Sequence, residues 1–211
     1  MNRIRLLIWV LSPLLTILPV GPIAAAEEAT NRASASPSQV VTAFQETLLD
    51  VMKNAKALGV RGRYDKLNGR IKQTFHLGLM AQIASGSYWR KASKIETDKL
   101  VAAFSHLSIS TYASQFDGYS GQSFKTQGEK PGPQNTTLIK TQIITPDSTP
   151  VDITYVTREI KGQWRVIDVL LDTGISELAV RRSEYRRILN TGGIGGLIST
   201  LNTKANQLLA E

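Results

Sequence analysis

The spacing of apolar residues changes several times along the chain. Leu6 to Ile23 is an apolar run interrupted only by Pro13, Pro19, Pro22 and a few small or polar residues. From Val40 apolar residues recur every three or four positions, the period of an amphipathic helix. Between about Tyr119 and Asp172 the period falls to two, which marks strands. From Glu177 to Leu209 helical spacing returns.

Local signals divide these regions into elements. Ser36, Pro37 and Gln39 make an S-P-x-Q start with a capping box. It opens a helix carrying Val40, Val41, Phe44, Leu48, Val51 and Ala55, which Gly59 to Gly62 ends. Shorter helical stretches follow from about Tyr64 to Ile71 and from about Phe75 to Ala84, up to a break at Ser85-Gly86-Ser87. Ser93 and Glu96 form a second capping box. It begins a long helix with Leu100, Phe104, Leu107, Thr111, Tyr112 and Phe116 on one side and a stop near Gly118. Strands are expected over 119–128, 136–145, 151–160 and 163–172. Residues 129–135, with two prolines and a glycine, are expected as a loop. The turns at Pro146–Pro150 and Lys161-Gly162 are too short for a crossover, so the strands they join are antiparallel. Two further helices, 177–189 and 197–209, flank the glycines of 192–196. Helices, then strands, then helices predict an α+β domain with helices against one antiparallel sheet.

The apolar run near the start has a different meaning. Arg3 and Arg5 precede it, and Ala24-Ala25-Ala26 closes it with small residues. Charged start, apolar middle and small-residue exit predict a secretory signal peptide over 1–26, cleaved after Ala26. Residues 27–36 are then a flexible Ala/Ser-rich segment, and 37–211 a single domain in the periplasm. Loss of Arg3 and Arg5 lowers the net charge of +8 by two, leaving a basic protein. Such a charge suits anionic lipid headgroups or acidic partners. Export argues against nucleic acid as the partner. The chain has no cysteine, which excludes disulfides, thiol catalysis and a lipid-modified N-terminal Cys.

Catalytic motifs are scarce. His76 and His106 are far apart in sequence and outside any metal-binding spacing. There is no G-x-S-x-G, and the glycines of 192–196 follow a helix and lack a phosphate-loop Lys. Asp168 and Asp172 stand on one face of an expected strand, where paired carboxylates can do acid–base work. A structural role for Asp168, pairing with Arg or capping the next helix, is the preferred reading, because a buried carboxylate needs partners. In that strand Val166 and Leu170 are expected on one face and Ile167, Val169 and Leu171 on the other.

Two blocks carry a resemblance. Tyr88-Trp89-Arg90-Lys91-Ala92-Ser93, with Phe104, Leu107, Tyr112 and Ala113, resembles the Y-W-+-x-A-T…F…L…Y-A block of the MlaC (toluene-tolerance) family. Trp164-Arg165-Val166-Ile167-Asp168-Val169, then Gly174-Ile175-Ser176, Tyr185-Arg186, Gly192-Gly193-Ile194 and Leu197 to Leu201, is similar to its W-+-V-x-D-V…G-[VI]-S…Y-R…G…G-[IL]-x-x-L pattern. His76 after Phe75, where the family often has an acid, and Asp172-Thr173-Gly174 in place of E-G suggest a divergent branch, such as the hopanoid-associated one. The resemblance implies a curved antiparallel sheet of about four strands packed on helices, with an apolar lipid cavity between them. It implies a non-enzymatic periplasmic carrier of phospholipid or a related lipid, with bound lipid as cargo and no cofactor or metal. Its implied partners are an inner-membrane ABC transporter with an MCE-domain protein and an outer-membrane lipoprotein complex.

The expected cavity-lining residues are Phe104, Leu107 and Tyr112 from the long helix and Ile143, Ile153, Tyr155, Val169 and Leu171 from the sheet, joined by Tyr88, Trp89 and Ile175. Two other readings remain at this point. One is an acid–base enzyme on a cone-shaped sheet, using Asp168 and His106. The other is a ligand-free cell-envelope interaction module, whose signature is a solid interior.

Overall fold

A computed structural model of the chain describes residues 35–146, 148–172 and 174–210. The expected signal peptide over 1–26 and nearly all of the 27–36 segment lie outside these residues. The described elements are α1 (Pro37–Lys53), α2 (Ala55–Thr74), α3 (Leu77–Ser85), a 3₁₀ turn (Gly86–Lys91), α4 (Lys94–Gln115), β1 (Ser123–Gly132), β2 (Thr136–Ile144), β3 (Val151–Ile160), β4 (Gln163–Leu171), β5 (Ile175–Ser176) and α5 (Glu177–Leu208). The strands form one open antiparallel sheet in chain order, five strands wide because Ile175-Ser176 adds a short last rung against Leu170 and Leu171.

The helix starts are locally determined. Ser36 accepts from the Gln39 amide while the Gln39 side chain accepts from the Ser36 amide, and Ser93 and Glu96 repeat the device at α4. The Ser93 amide and hydroxyl hold the Glu96 carboxyl below its usual range. The expected first helix instead breaks at Asn54, whose side chain turns back onto Asp50, and the next helix runs through Gly59, which takes φ +59° as a kink. Phe75 is not helical. It is extended and bridges to Val166 of β4, while the His76 amide donates to the Val166 carbonyl.

Residues 134 and 135 both have positive φ, as do Lys161 and Gly162, the signature of tight two-residue hairpin turns. The first of these turns lies further along than expected, because β1 continues through Pro131 and Gly132. A proline fits there because β1 is an edge strand with no neighbour on its outer side. Gly132 has no room for a Cβ, which would fall 2.5 Å from the Thr136 hydroxyl.

Two irregularities in the sheet matter later. β1 shifts register between Thr126 and Gly128. β4 shifts against β3, where Val156 pairs Asp168 but Thr157 pairs Val166, leaving Ile167 as an extra residue. This bulge corrects the simple alternation expected for β4, because Val166 joins Val169 in the main core.

The core lies between the sheet and the helices. α1 crosses β1 through β4, and α4 packs chiefly against α5. Phe44 is fully buried and meets Phe75, Tyr112 and Tyr155 edge-on, with ring centroids 5.0, 5.4 and 6.2 Å apart. Buried Gln45 donates to Thr141, whose hydroxyl donates to the Ile153 carbonyl, so the polar atoms beneath α1 are satisfied. Arg63 is buried without a carboxylate and donates to the carbonyls of Ala113 and Ala55, tying α2 to the end of α4. α5 is two helices joined at Gly193, where φ is +60°.

Candidate functional site

The interior is not solid. An apolar cavity of about 370 Å³ lies between β3–β4 and the helices. Leu48 of α1, Ile71 of α2, Phe75, and Leu77 and Met80 of α3 form part of its wall. α4 contributes Phe104, Ser108, Thr111, Tyr112 and Gln115, a stripe at successive spacings of three and four. Phe116, Phe124, Ile153, Tyr155, Val169, Leu171 and, from α5, Glu177, Leu178 and Arg181 complete it. Gln115 and Leu171 are the exposed members, so the mouth is where the end of α4 meets the end of β4 and the start of α5.

The aromatic wall is held by stacking as well as burial. Tyr112 lies parallel to Phe116 at 5.7 Å and tilted against Phe75 at 5.9 Å. Burial pushes Tyr155 up to about 12, with Gln45 pulling slightly the other way. Tyr112 is pushed up by burial first, then by Tyr155 and Glu177, against a smaller opposing pull from Arg181. Both phenols are therefore neutral at ordinary pH.

Of the residues expected on the wall, Phe104, Tyr112, Ile153, Tyr155, Val169 and Leu171 come together around this cavity. The other five stand elsewhere. Leu107 is buried one helical row away, in the core with Leu100 and Ala103. Ile143 shares the sheet face of Ile139 and Thr141, but its cross-strand partner Phe124 takes the place at the wall. Tyr88 and Trp89 lie in the 3₁₀ turn, half-buried, and the Tyr88 hydroxyl donates to Asn190. Ile175 is 58% exposed on β5. Glu177, Arg181, Ser108, Thr111 and Gln115 were not anticipated, because a polar residue carries no signal of facing a cavity. Ser108, Thr111 and Gln115 stand at i+4, i+7 and i+11 from Phe104, and that shared helical phase is the available clue.

A second hollow of about 440 Å³ lies across Phe75 and Leu77, with Val101 and Ile160 also on its wall and Lys72, Lys161 and Arg165 as its cationic members. The Arg165 guanidinium there is engaged by the carbonyls of Lys72 and Gln73 and by Gln163.

The residues of the acid–base reading are occupied otherwise. Asp168 accepts from the amides of Val169 and Leu178 and from the Ser176 hydroxyl, and so caps α5. Asp172 lies in a turn with positive φ, its amide bonded to the Asp152 carbonyl. His106 meets the Tyr64 ring edge-on, and His76 caps α3 by accepting from the Leu79 amide. Neither Asp168 nor His106 lies on the cavity wall. No group of His, Asp and Glu among the described residues could hold a metal ion, and no helix among them is long and apolar enough to cross a membrane.

An open antiparallel sheet that faces helices across an apolar hollow with one polar mouth defines a cavity-bearing α+β protein. Residues 42–203 match the model of the MlaC protein family, and the chain belongs to that family. Among solved structures, the phospholipid-binding protein from Ralstonia solanacearum, determined in complex with a phospholipid, has the same fold. Its TM-score is 0.73 at 19% sequence identity, over 84% of this chain and 100% of that one.

Proposed function

We propose that this chain is a carrier of membrane phospholipid, or a closely related lipid, that shields acyl chains in the cavity and performs no covalent chemistry. The observation that carries the reading is the hollow itself, lined mainly by apolar and aromatic side chains, in a chain of the MlaC family. The Ralstonia relative's phospholipid complex supports it.

The energetics suit a carrier. Each methylene withdrawn from water contributes ~0.8 kcal/mol, so a chain of about 16 carbons gains on the order of 10 kcal/mol. With ~30 Å³ for a group the size of a water molecule, about 370 Å³ accommodates roughly a dozen methylenes, the scale of one acyl chain. A ligand held this way leaves slowly into water, so unloading requires a membrane or partner that offers another apolar environment. The carrier works in the periplasm after removal of residues 1–26. It uses a single domain spanning 37–211 and exchanges lipid with an MCE-bearing ABC transporter at the inner membrane and a lipoprotein complex at the outer membrane.

The test is native mass spectrometry of the purified protein, followed by organic extraction and lipid analysis. A mass increment that resolves into phospholipid on extraction is expected. Protein that carries no lipid and takes none from vesicles refutes the reading.

A further inference from the structure

We propose that Glu177 and Arg181 form a headgroup subsite at the cavity mouth that selects a zwitterionic phospholipid, with phosphate on Arg181 and a primary ammonium on Glu177. The inference rests on the carrier reading and adds the polar end of the ligand to it.

The two residues are one turn apart on α5, and both border the cavity with Leu178 between them. An acid four positions before an arginine commonly pairs with it along the helix. Here they form no ion pair with each other. The one carboxylate within 4.0 Å of the Arg181 guanidinium among the described residues is Glu184, at 3.9 Å, with both side chains partly exposed. Such a long, solvated contact leaves the guanidinium free to take a stronger partner. Among the described residues, then, two opposite charges without a close ion-pair partner border a hollow lined mainly by apolar side chains.

The remaining groups at the mouth sharpen the assignment. A helix start often binds an anion through its free amides. At α5 those of Leu178 and Ala179 are already taken by Asp168 and Ser176. Arg181 is the cationic side chain on the cavity wall, and its planar donor fork suits a phosphate. A purely anionic headgroup placed on Arg181 brings like charge towards Glu177, whereas one that also carries an ammonium satisfies both side chains. Thr111 and Gln115 face the same opening and add uncharged hydrogen-bonding capacity. Tyr112 lines the same cavity as both charges, so the pair belongs to this hollow and not to a remote surface.

The experiment uses the delipidated protein and vesicles of equal parts phosphatidylethanolamine and phosphatidylglycerol with matched acyl chains. Bound lipid is extracted and counted by mass spectrometry. The unaltered protein should enrich the amine-bearing lipid about 3–5-fold, the scale of one half-exposed ion pair. Glu177→Gln should bring the ratio to that of the vesicles with total lipid unchanged, and Arg181→Gln should lower both lipids together. Millimolar phosphoethanolamine without acyl chains should leave bound lipid in place. Uptake at the vesicle ratio by the unaltered protein, a preference that survives Glu177→Gln, or displacement by free phosphoethanolamine overturns the subsite alone. Uptake of neither lipid overturns the carrier reading with it.

Discussion

Ser108 is the position at which the hollow can be tested with least damage to the fold. It lies on the cavity stripe of α4, and its hydroxyl only returns a hydrogen bond to the Phe104 carbonyl one turn back. In Ser108→Phe, six ring carbons replace one oxygen and occupy the space of about five methylenes of ligand, a loss of ~4 kcal/mol or about a thousandfold in lipid affinity. The lipid-free protein should respond in the opposite sense. A ring entering empty space adds contacts, so its thermal midpoint should stay level or rise. A solid interior would instead be overpacked, at a cost of ~1–3 kcal/mol. Partition of lipid between vesicles and protein, with calorimetry of the lipid-free form, reads both. A variant that loads lipid like the parent, or one whose midpoint falls by several degrees, refutes the reasoning.

Asp168→Ala removes the acceptor for the Leu178 amide and the Ser176 hydroxyl, and should cost ~2–4 kcal/mol in urea unfolding. Arg63→Met leaves the Ala113 and Ala55 carbonyls unpaired and should cost ~2–3 kcal/mol, with lipid uptake unchanged because Arg63 is off the cavity wall. Burial raises Tyr155 and Tyr185 from 10.0 to about 12, so the folded state holds their protons more tightly. Their contribution is complete below pH 10 and is lost as pH rises through about 12, by ~2–3 kcal/mol each. Urea midpoints between pH 9 and 12 should therefore fall less steeply in Tyr155→Phe than in the parent.

What the sequence disclosed was mainly local. Ser36 with Gln39, and Ser93 with Glu96, declare helix starts because the cap and its partner sit three residues apart. Lys161-Gly162 declares a hairpin for the same reason. Asn54 was harder to read, since a helix break there depends on its side chain turning back to Asp50 and on the angle at which α2 must leave α1. The extra residue at Ile167 is set by pairing between two strands, so alternation within one strand missed it and Val166 was placed on the wrong face. The cavity was the least legible feature. Leu107 and Phe104 are equally apolar, yet one faces other helices and the other faces empty space. Ser108 and Gln115 reach the wall by helical phase alone. Hydrophobicity reports removal from water and is silent on whether protein or cargo does the removing.

The edges of the sheet bear on how the molecule behaves in a crowd. Along its outer side β1 meets solvent with Lys125, Glu129, Lys130 and Pro131, and its ladder is offset at Gly128. At the other end β5 lasts two residues before the chain turns into α5. A strand arriving from another copy would find charge, a missing amide and a broken rhythm on one side, and almost nothing to grip on the other. Copies of this chain can therefore be abundant beside one another without their sheets fusing, and each hollow keeps the β3 and β4 wall of its own sheet.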